Sequence, residues 1–176
     1  MPKIIHNLEN RLIEEARKQI EASGYGNVTI RSVAAACGVG VGTVYNYFPS
    51  KDALLAAYML RDWKECMTAI CAVGSHSEKP EDVTRCIYDQ LSGFTDRHQG
   101  VFRDAAAAAG FASAYIQYHK LLRSQLAQPL ERFCGSGFAA EFIAEALLTW
   151  TVAEKSFEEI YGMIGPLFCH AAVGPV

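Results

Sequence analysis

The fold of this chain is decided by residues 29–52, which read TIRSVAAACGVGVGTVYNYFPSKD. Thr29 is a plausible N-cap for a short helix, and Gly38 ends that helix because glycine accepts a left-handed backbone. Val39 and Gly40 then form a tight turn before a third helix, predicted over residues 41–48. Two short helices joined by a glycine-centred turn cross at a steep angle, so the stretch predicts a helix-turn-helix.

The third helix combines an apolar face with an outward face that carries no negative charge. Val44 and Phe48 are predicted to lock this helix against its neighbours. The outward positions hold hydroxyl groups, an amide and a glycine: Gly42, Thr43, Tyr45, Asn46 and Tyr47. Such a surface suits the negatively charged grooves of DNA. A structural alternative is that Tyr45 or Tyr47 packs between the first and fourth helices.

Lys51 occupies the first position of the predicted fourth helix. Pro49 and Ser50, which precede it, separate this helix from the third. The helix macrodipole disfavours a cation at this position. The placement is explained if a phosphate docks there and pairs with both the helix amides and the ammonium group. The alternative is a solvated surface lysine that is balanced by Asp52.

From Thr29 to Leu54 the chain resembles the DNA-binding head of TetR/AcrR-type repressors. The resemblance is carried by the threonine that opens the second helix, by the Ala-x-x-x-Gly-Val turn, and by three motifs in order: Gly42-Thr43-Val44-Tyr45, Tyr47-Phe48 and Ser50-Lys51-Asp52-x-Leu54. This long, ordered pattern, with the first helix, covers roughly the first third of the chain. The rest of the chain agrees with the family only in the number and length of its helices.

The resemblance implies a DNA-binding role for each matching position. It implies that the backbone approaches DNA closely at Gly42. Positions that commonly hold phosphates are matched by Thr43, Tyr45, Tyr47 and Lys51. Positions that reach bases or the adjacent backbone are matched by Arg31, Val41 and Asn46.

Two positions depart from the family pattern, and three have simpler explanations. Gly40 stands where a polar residue is frequent, and Val41 is apolar. Base reading is therefore expected to rely on Arg31, Asn46 and a thymine methyl group against Val41. Thr29 is expected to be a cap rather than a base reader. Arg31 can alternatively pair with a nearby carboxylate, and Gly42 can serve tight helix packing.

Apolar residues recur at helical spacing along the chain, and strand signals are nearly absent. The prediction is an all-α fold of about nine helices. A helix-turn-helix DNA-binding domain is expected over residues 1–50, and a helical ligand-binding and dimerisation domain over residues 51–176. The clearest loop is predicted at residues 74–80, a helix break at Gly100, and a kinked or shortened helix at Pro129.

The helix that begins near residue 138 is apolar almost all round, so it must be covered on two sides. One side can face its own core, and the other needs a partner. Together with the last helix it predicts a two-fold four-helix interface between two copies of the chain, which is also the usual dimer of the family. The predicted interface residues are Phe138, Phe142, Ala146, Ile160, Tyr161, Ile164 and Phe168. The alternative is a core formed within one chain.

A ligand pocket is expected between the fourth and eighth helices, with walls that suit an apolar or aromatic effector. Its candidate lining residues are Trp63, Met67, Phe94, Phe102, Phe111, Tyr115, Tyr118, His119 and Trp150. The alternative for each of these residues is ordinary core packing. The expected function is a repressor that releases a palindromic operator when the small molecule binds.

Composition and charge are compatible with this interpretation. The chain has 176 residues, of which 51% are hydrophobic and 20% charged, as in a globular protein. The net charge of −3 divides into +1 over residues 1–52 and −4 over residues 53–176, which fits a DNA-binding head on an acidic body. No apolar run is long enough to cross a bilayer, and no signal peptide is recognisable, so a cytoplasmic location and no membrane partner are expected.

No enzyme, metal site or cofactor is predicted. Catalytic and phosphate-binding motifs are missing, and the six cysteines include no Cys-x-x-Cys pair. The expected partners are double-stranded operator DNA, a second copy of the chain and a small-molecule effector. Two alternatives remain: a redox-sensing regulator that uses Cys66, Cys71 or Cys86, and a helical interaction protein whose head no longer binds DNA.

Overall fold

A computed structural model describes residues 7–102 and 119–168 of the chain. Within these ranges the protein contains eight α-helices and no β-strand, which confirms the all-helical prediction. The helices are α1 (Leu8–Ser23), α2 (Ile30–Cys37), α3 (Val41–Tyr45), α4 (Lys51–His76), α5 (Pro80–Phe102), α6 (119–127), α7 (Gly137–Val152) and α8 (Phe157–Ile164). Short 3₁₀ segments lie at Tyr25–Asn27, Gln128–Phe133 and Gly165–Leu167.

The described residues divide into two compact units. The head unit comprises residues 7–62 and 98–102, and the body unit comprises residues 63–97 and 119–168. The domain boundary predicted between residues 50 and 51 stays a prediction, because packing alone does not show which part of a chain folds independently.

The head unit is built around the apolar faces of its short helices. Leu12 of α1, Val33 of α2 and Val44 of α3 are fully buried together. The 3.6-residue period of a helix places Leu8, Leu12 and Ala16 on one stripe of α1, and all three are buried. This shared core fixes the orientation of α3, so the residues on its opposite side face outward.

The body unit buries the inner side of α7 and one face of α8. Ile143 and Leu147 of α7 are fully buried, as is Leu130, which follows the end of α6. Pro129 has the predicted effect, because the α-helical conformation ends at residue 127 and continues as a 3₁₀ segment.

Two predicted interruptions are wrong, because the glycines concerned lie inside helices. The loop expected at residues 74–80 is confined to residues 77–79, since α4 continues through Gly74 to residue 76. Gly74 is buried, and a Cβ atom built on it would lie 2.8 Å from the Cβ of Pro129. This glycine therefore allows a close approach between two segments of the body. The break expected at Gly100 is absent, because α5 continues to Phe102.

Alanine at these two glycines is expected to change stability in opposite directions. Gly74→Ala should lower the free energy of unfolding by about 1–3 kcal/mol, because its methyl group forces Pro129 away. Gly100→Ala should raise it by up to about 1 kcal/mol, because alanine favours the helix and no atom lies within 4 Å of the added Cβ. Urea unfolding of both variants beside the parent protein measures the two shifts. A stable Gly74→Ala protein would contradict the close approach of Gly74 and Pro129.

Candidate nucleic-acid interface

Local hydrogen bonds set both ends of α2. The Thr29 side chain accepts a bond from the Ser32 amide at 3.0 Å, and the Ser32 hydroxyl oxygen accepts one from the Thr29 amide at 3.1 Å. Such a reciprocal capping box fixes where the helix begins. Gly38 ends it at φ +68°, a left-handed conformation in which glycine has no Cβ strain. The structure thus places Thr29 as a cap, with its side-chain oxygen engaged by its own helix.

The third helix is shorter than predicted. It spans Val41–Tyr45 rather than residues 41–48, and the next two residues form a turn in which the Tyr47 amide donates to the Val44 carbonyl at 3.0 Å. Pro49 explains the early end, because a residue that precedes proline is disfavoured in the α conformation. Val44 and Phe48 nevertheless anchor the segment as predicted, with 0% and 5% of their surfaces exposed.

The opposite side of α3 and of the turn after it is open to solvent. Tyr45 and Tyr47 are 52% and 46% exposed, which argues against the alternative that they pack between helices. Asn46 is also exposed, whereas Thr43 and Val41 are half-buried. This surface displays hydroxyl, amide and methyl groups, and none of residues 38–50 is acidic.

Neither the backbone conformation nor the packing around position 42 requires glycine. The φ of Gly42 is not positive, so its backbone conformation suits other residues. A Cβ atom added at this position would have no neighbour within 4 Å, so tight helix packing does not require glycine either. Glycine inside a helix costs about 0.5–1 kcal/mol relative to alanine. An external surface that approaches the α3 backbone would explain why that cost is tolerated.

The cations of the head have distinct surroundings. Arg31 is exposed and has no ion-pair partner in the described part of the chain, so the alternative of a structural pair with a carboxylate finds no support. Arg11, in contrast, donates to the Cys37 carbonyl at 3.2 Å and caps the end of α2. Arg31 is thus free to reach another molecule.

Lys51 makes contacts that sequence reasoning missed. Its ammonium group donates to the Tyr25 carbonyl at 2.6 Å and lies 3.8 Å from the centroid of the Tyr25 ring. The predicted balance with Asp52 takes a different form, because Asp52 accepts a hydrogen bond from the Tyr25 hydroxyl. In the sequence, Gly24 and Tyr25 lie between two helices. This pattern predicts that the tyrosine packs into the core, but not that it contacts Lys51.

The residues proposed for a ligand pocket are only partly brought together. Trp63 is buried, donates to the Gln125 side chain at 2.7 Å, and meets the edge of Phe94 at a centroid distance of 5.7 Å. Met67 packs against the same core. The Nε2 of His119 lies 3.7 Å from Glu145 Oε1, and Trp150 is half-exposed. The side chain of Phe102 and residues Phe111, Tyr115 and Tyr118 lie outside the described residues.

The residues proposed for the dimer interface fall into two groups. Phe138 and Phe142 of α7 are 78% and 53% exposed, and Ala146 is half-buried. Tyr161 is half-buried and stacks on Phe157 at 5.2 Å. The remaining three are buried in the chain's own body core: Ile160, Ile164 and Phe168. Exposed apolar residues that the prediction omitted from the interface are Trp150, Val152, Met163 and Leu167.

The surroundings of Cys86 argue against the redox alternative at that thiol. Burial raises the pKa of the Cys86 thiol, as it does that of Cys37, and a raised pKa lowers the population of the reactive thiolate. Cys66 is buried and accepts a hydrogen bond from Arg97 Nη2 at 3.5 Å, whereas Cys71 is exposed. Among the residues that the structure describes, no group of three or more potential ligands could hold a metal ion. No helix in those same ranges meets the length and hydropathy that a membrane span requires.

Part of the chain is similar in sequence to known bacterial regulatory proteins. Residues 12–58 match the model of the family described as bacterial regulatory proteins, tetR family. The uncharacterized HTH-type transcriptional regulator YuxN of Bacillus subtilis (strain 168) is 30% identical over 77 residues, which are 44% of this chain and 26% of that protein. The chain therefore aligns with much less than two thirds of that relative.

Two solved structures resemble the chain over most of its length. RolR (NCGL1110), solved without ligand, is 25% identical, with 93% of this chain and 92% of that chain covered and a TM-score of 0.62. The TetR family repressor AlkX from Dietzia sp. strain DQ12-45-1b, implicated in biodegradation of n-alkanes, is 17% identical, with 90% and 98% covered and a TM-score of 0.60. The likeness to AlkX concerns the fold alone.

Proposed function

We propose that this chain, whose residues 12–58 match the model of the tetR family of bacterial regulatory proteins, is a transcriptional regulator of that family that binds DNA by placing α3 in the major groove. The observation that carries the proposal is the exposed face of α3. There Gly42, which neither packing nor backbone conformation requires to be glycine, is followed by the exposed Tyr45 and Tyr47. A helix of a helix-turn-helix must approach DNA closely for its first residues to reach base edges. Gly42 would permit that approach.

The head residues divide into two proposed roles. The phosphate contacts are made by the hydroxyl groups and the cation, namely Thr43, Tyr45, Tyr47 and Lys51, and they fix the position of the head on the duplex. The base contacts are made by Arg31, Asn46 and Val41. Thr29 contributes by fixing the start of α2. In this scheme residues 1–50 are the DNA-binding domain.

The regulator acts as a homodimer in this proposal. The exposed phenylalanines of α7 form an apolar surface that a second copy of the chain would cover, since two-fold interfaces are self-complementary. A single short helix contacts only a few base pairs, whereas two heads about 34 Å apart would read the two halves of a palindrome. Residues 51–176 then form the domain for dimerisation and effector binding.

The effector proposed is a small apolar or aromatic molecule that releases the operator, which makes the protein a repressor. Trp63, Met67 and Phe94 belong to one apolar cluster of the body, which would supply the walls of the site. AlkX, a repressor with a similar fold, is implicated in the biodegradation of n-alkanes. Release would be a population shift toward a conformation whose heads no longer match successive major grooves. Thermal-shift screening with aliphatic and aromatic compounds tests this part, and no stabilisation by either class would contradict it.

Selection of duplexes from a random-sequence pool tests DNA binding directly. The protein should enrich a palindromic sequence, and its affinity should fall steeply as salt increases, because phosphate contacts release counterions. Arg31→Ala should relax base preference at one position of each half-site. Lys51→Gln should weaken binding to all duplexes alike and reduce the magnitude of the salt slope by about 1 per head.

Each substitution is a charge-matched control for the other, because both remove one positive charge from the head. If Arg31→Ala leaves the enriched sequence unchanged, Arg31 is not a base reader. If the parent protein enriches no sequence and binds no duplex at low salt, the proposal of a DNA-binding regulator is wrong.

A further inference from the structure

Tyr25 contacts both of the first two residues of α4. Its carbonyl accepts a hydrogen bond from Lys51 Nζ at 2.6 Å, and its ring face lies 3.8 Å below the same ammonium group. Its hydroxyl donates to the carboxylate of Asp52. The Tyr25 side chain is only 5% exposed and belongs to the core of the head. Lys51 is therefore attached to a rigid platform rather than extended freely into solvent.

We propose that Tyr25 is a positioning residue for DNA binding, which holds the Lys51 ammonium group at the place from which it binds a phosphate. The inference rests on the proposed function and adds to it a residue that contacts no DNA itself. It predicts that Tyr25 changes affinity only through Lys51.

The physical basis is the conformational freedom of lysine. A free lysine side chain samples many rotamers, and binding to a phosphate removes much of that freedom. Here the Tyr25 carbonyl and ring restrict the side chain before DNA arrives, so less entropy is lost on binding. Such preorganisation strengthens binding without any new contact to the ligand.

The contacts with Tyr25 leave the cation able to bind a phosphate. An ammonium group has three N–H donors, and the Tyr25 carbonyl uses one of them. Lys51 has no carboxylate partner in the part of the chain that the structure describes, so its positive charge is not neutralised. Because Lys51 opens α4, the helix dipole repels it, and the negative face of the ring offsets part of that repulsion.

The test inverts the electrostatics of the ring while it keeps the shape. Position 25 is occupied by tyrosine, phenylalanine (Tyr25→Phe) or pentafluorophenylalanine, each with Lys51 and with Lys51→Gln. The affinity of all six proteins is measured for a duplex that the parent protein enriches from a random pool. Tyr25→Phe keeps the ring face and the carbonyl but lacks the hydroxyl bond to Asp52, so it is the reference with which the fluorinated ring is compared. Pentafluorophenylalanine should weaken binding about threefold with Lys51 and not at all with Lys51→Gln.

A purely structural role of Tyr25 would give a different pattern, because damage to the head core weakens binding equally in both backgrounds. Equal losses, or no loss with Lys51 present, would overturn the inference. Proton NMR of the free protein adds a second measurement, since the Lys51 ε-methylene protons should be shifted upfield by the ring in the tyrosine and phenylalanine proteins. Ordinary shifts would also overturn it. Failure of the parent protein to bind any duplex would instead reject the proposed function.

Discussion

The double substitution Phe138→Glu/Phe142→Glu is expected to convert the proposed dimer into monomers and to weaken DNA binding by at least about 100-fold. Both side chains lie on the open side of α7, with 78% and 53% of their surfaces exposed in the single chain. In a two-fold interface each substitution appears twice, so four carboxylates would be brought together and desolvated. Such a cost exceeds what the remaining apolar contacts can offset.

The loss of DNA affinity follows from the loss of the second head. When one head of a dimer is bound, the other is held near its half-site at an effective concentration in the millimolar range. A monomer lacks this advantage and binds through one short helix. Sedimentation velocity should therefore report a halved mass, and titration of the enriched duplex should report the weaker dissociation constant.

The fold of the monomer should survive both substitutions. The two phenylalanines are exposed, so stability should change by about 0.5 kcal/mol or less for each. Glutamate at position 138 also suits the first turn of α7, where the helix dipole favours an anion. Leu121→Glu is the matched control, because Leu121 is 50% exposed on α6 of the same unit. If the double variant stays dimeric, or if Leu121→Glu also dissociates the protein, the interface lies elsewhere.

The head was predictable because its signals are local in sequence. Thr29 caps a helix through the residue three positions on, and Gly38 ends it through its own backbone conformation. Each is a property of a few consecutive residues, so no knowledge of the rest of the fold is needed. The end of α3 was misplaced by three residues because the apolar periodicity continues through Phe48, while the backbone is already limited by Pro49.

Contacts between distant residues were not predictable in this way. Lys51 and Tyr25 are 26 positions apart. His98, which is buried, and Asp62, which is half-buried, are 36 positions apart, yet His98 Nε2 lies 2.7 Å from Asp62 Oδ2. Spacing also shows which residues share a helix face, but not what covers that face. Ile160 and Ile164 do share one face of α8, yet it packs into the chain's own core instead of remaining open for a partner.

The second large effect is expected at Gly42, where stability and DNA binding should change in opposite directions. Gly42→Ala should raise the free energy of unfolding by about 0.5–1 kcal/mol, because alanine favours the helix and its methyl group meets nothing within 4 Å. The same methyl group would stand between the α3 backbone and the DNA. Overcrowding of this kind costs about 1–3 kcal/mol, so affinity should fall about tenfold for each head. Gly42→Leu should bind more weakly still.

Gly100→Ala provides the matched control for this separation of effects. It also replaces a helical glycine whose added Cβ meets nothing within 4 Å, but it lies in α5. It should therefore gain stability and keep its affinity for the enriched duplex. Thermal unfolding and DNA titration of the three variants distinguish the explanations. If Gly42→Ala destabilises the protein, an internal packing role explains the glycine. If it is more stable and binds DNA as tightly as the parent, the α3 backbone does not approach DNA at Gly42.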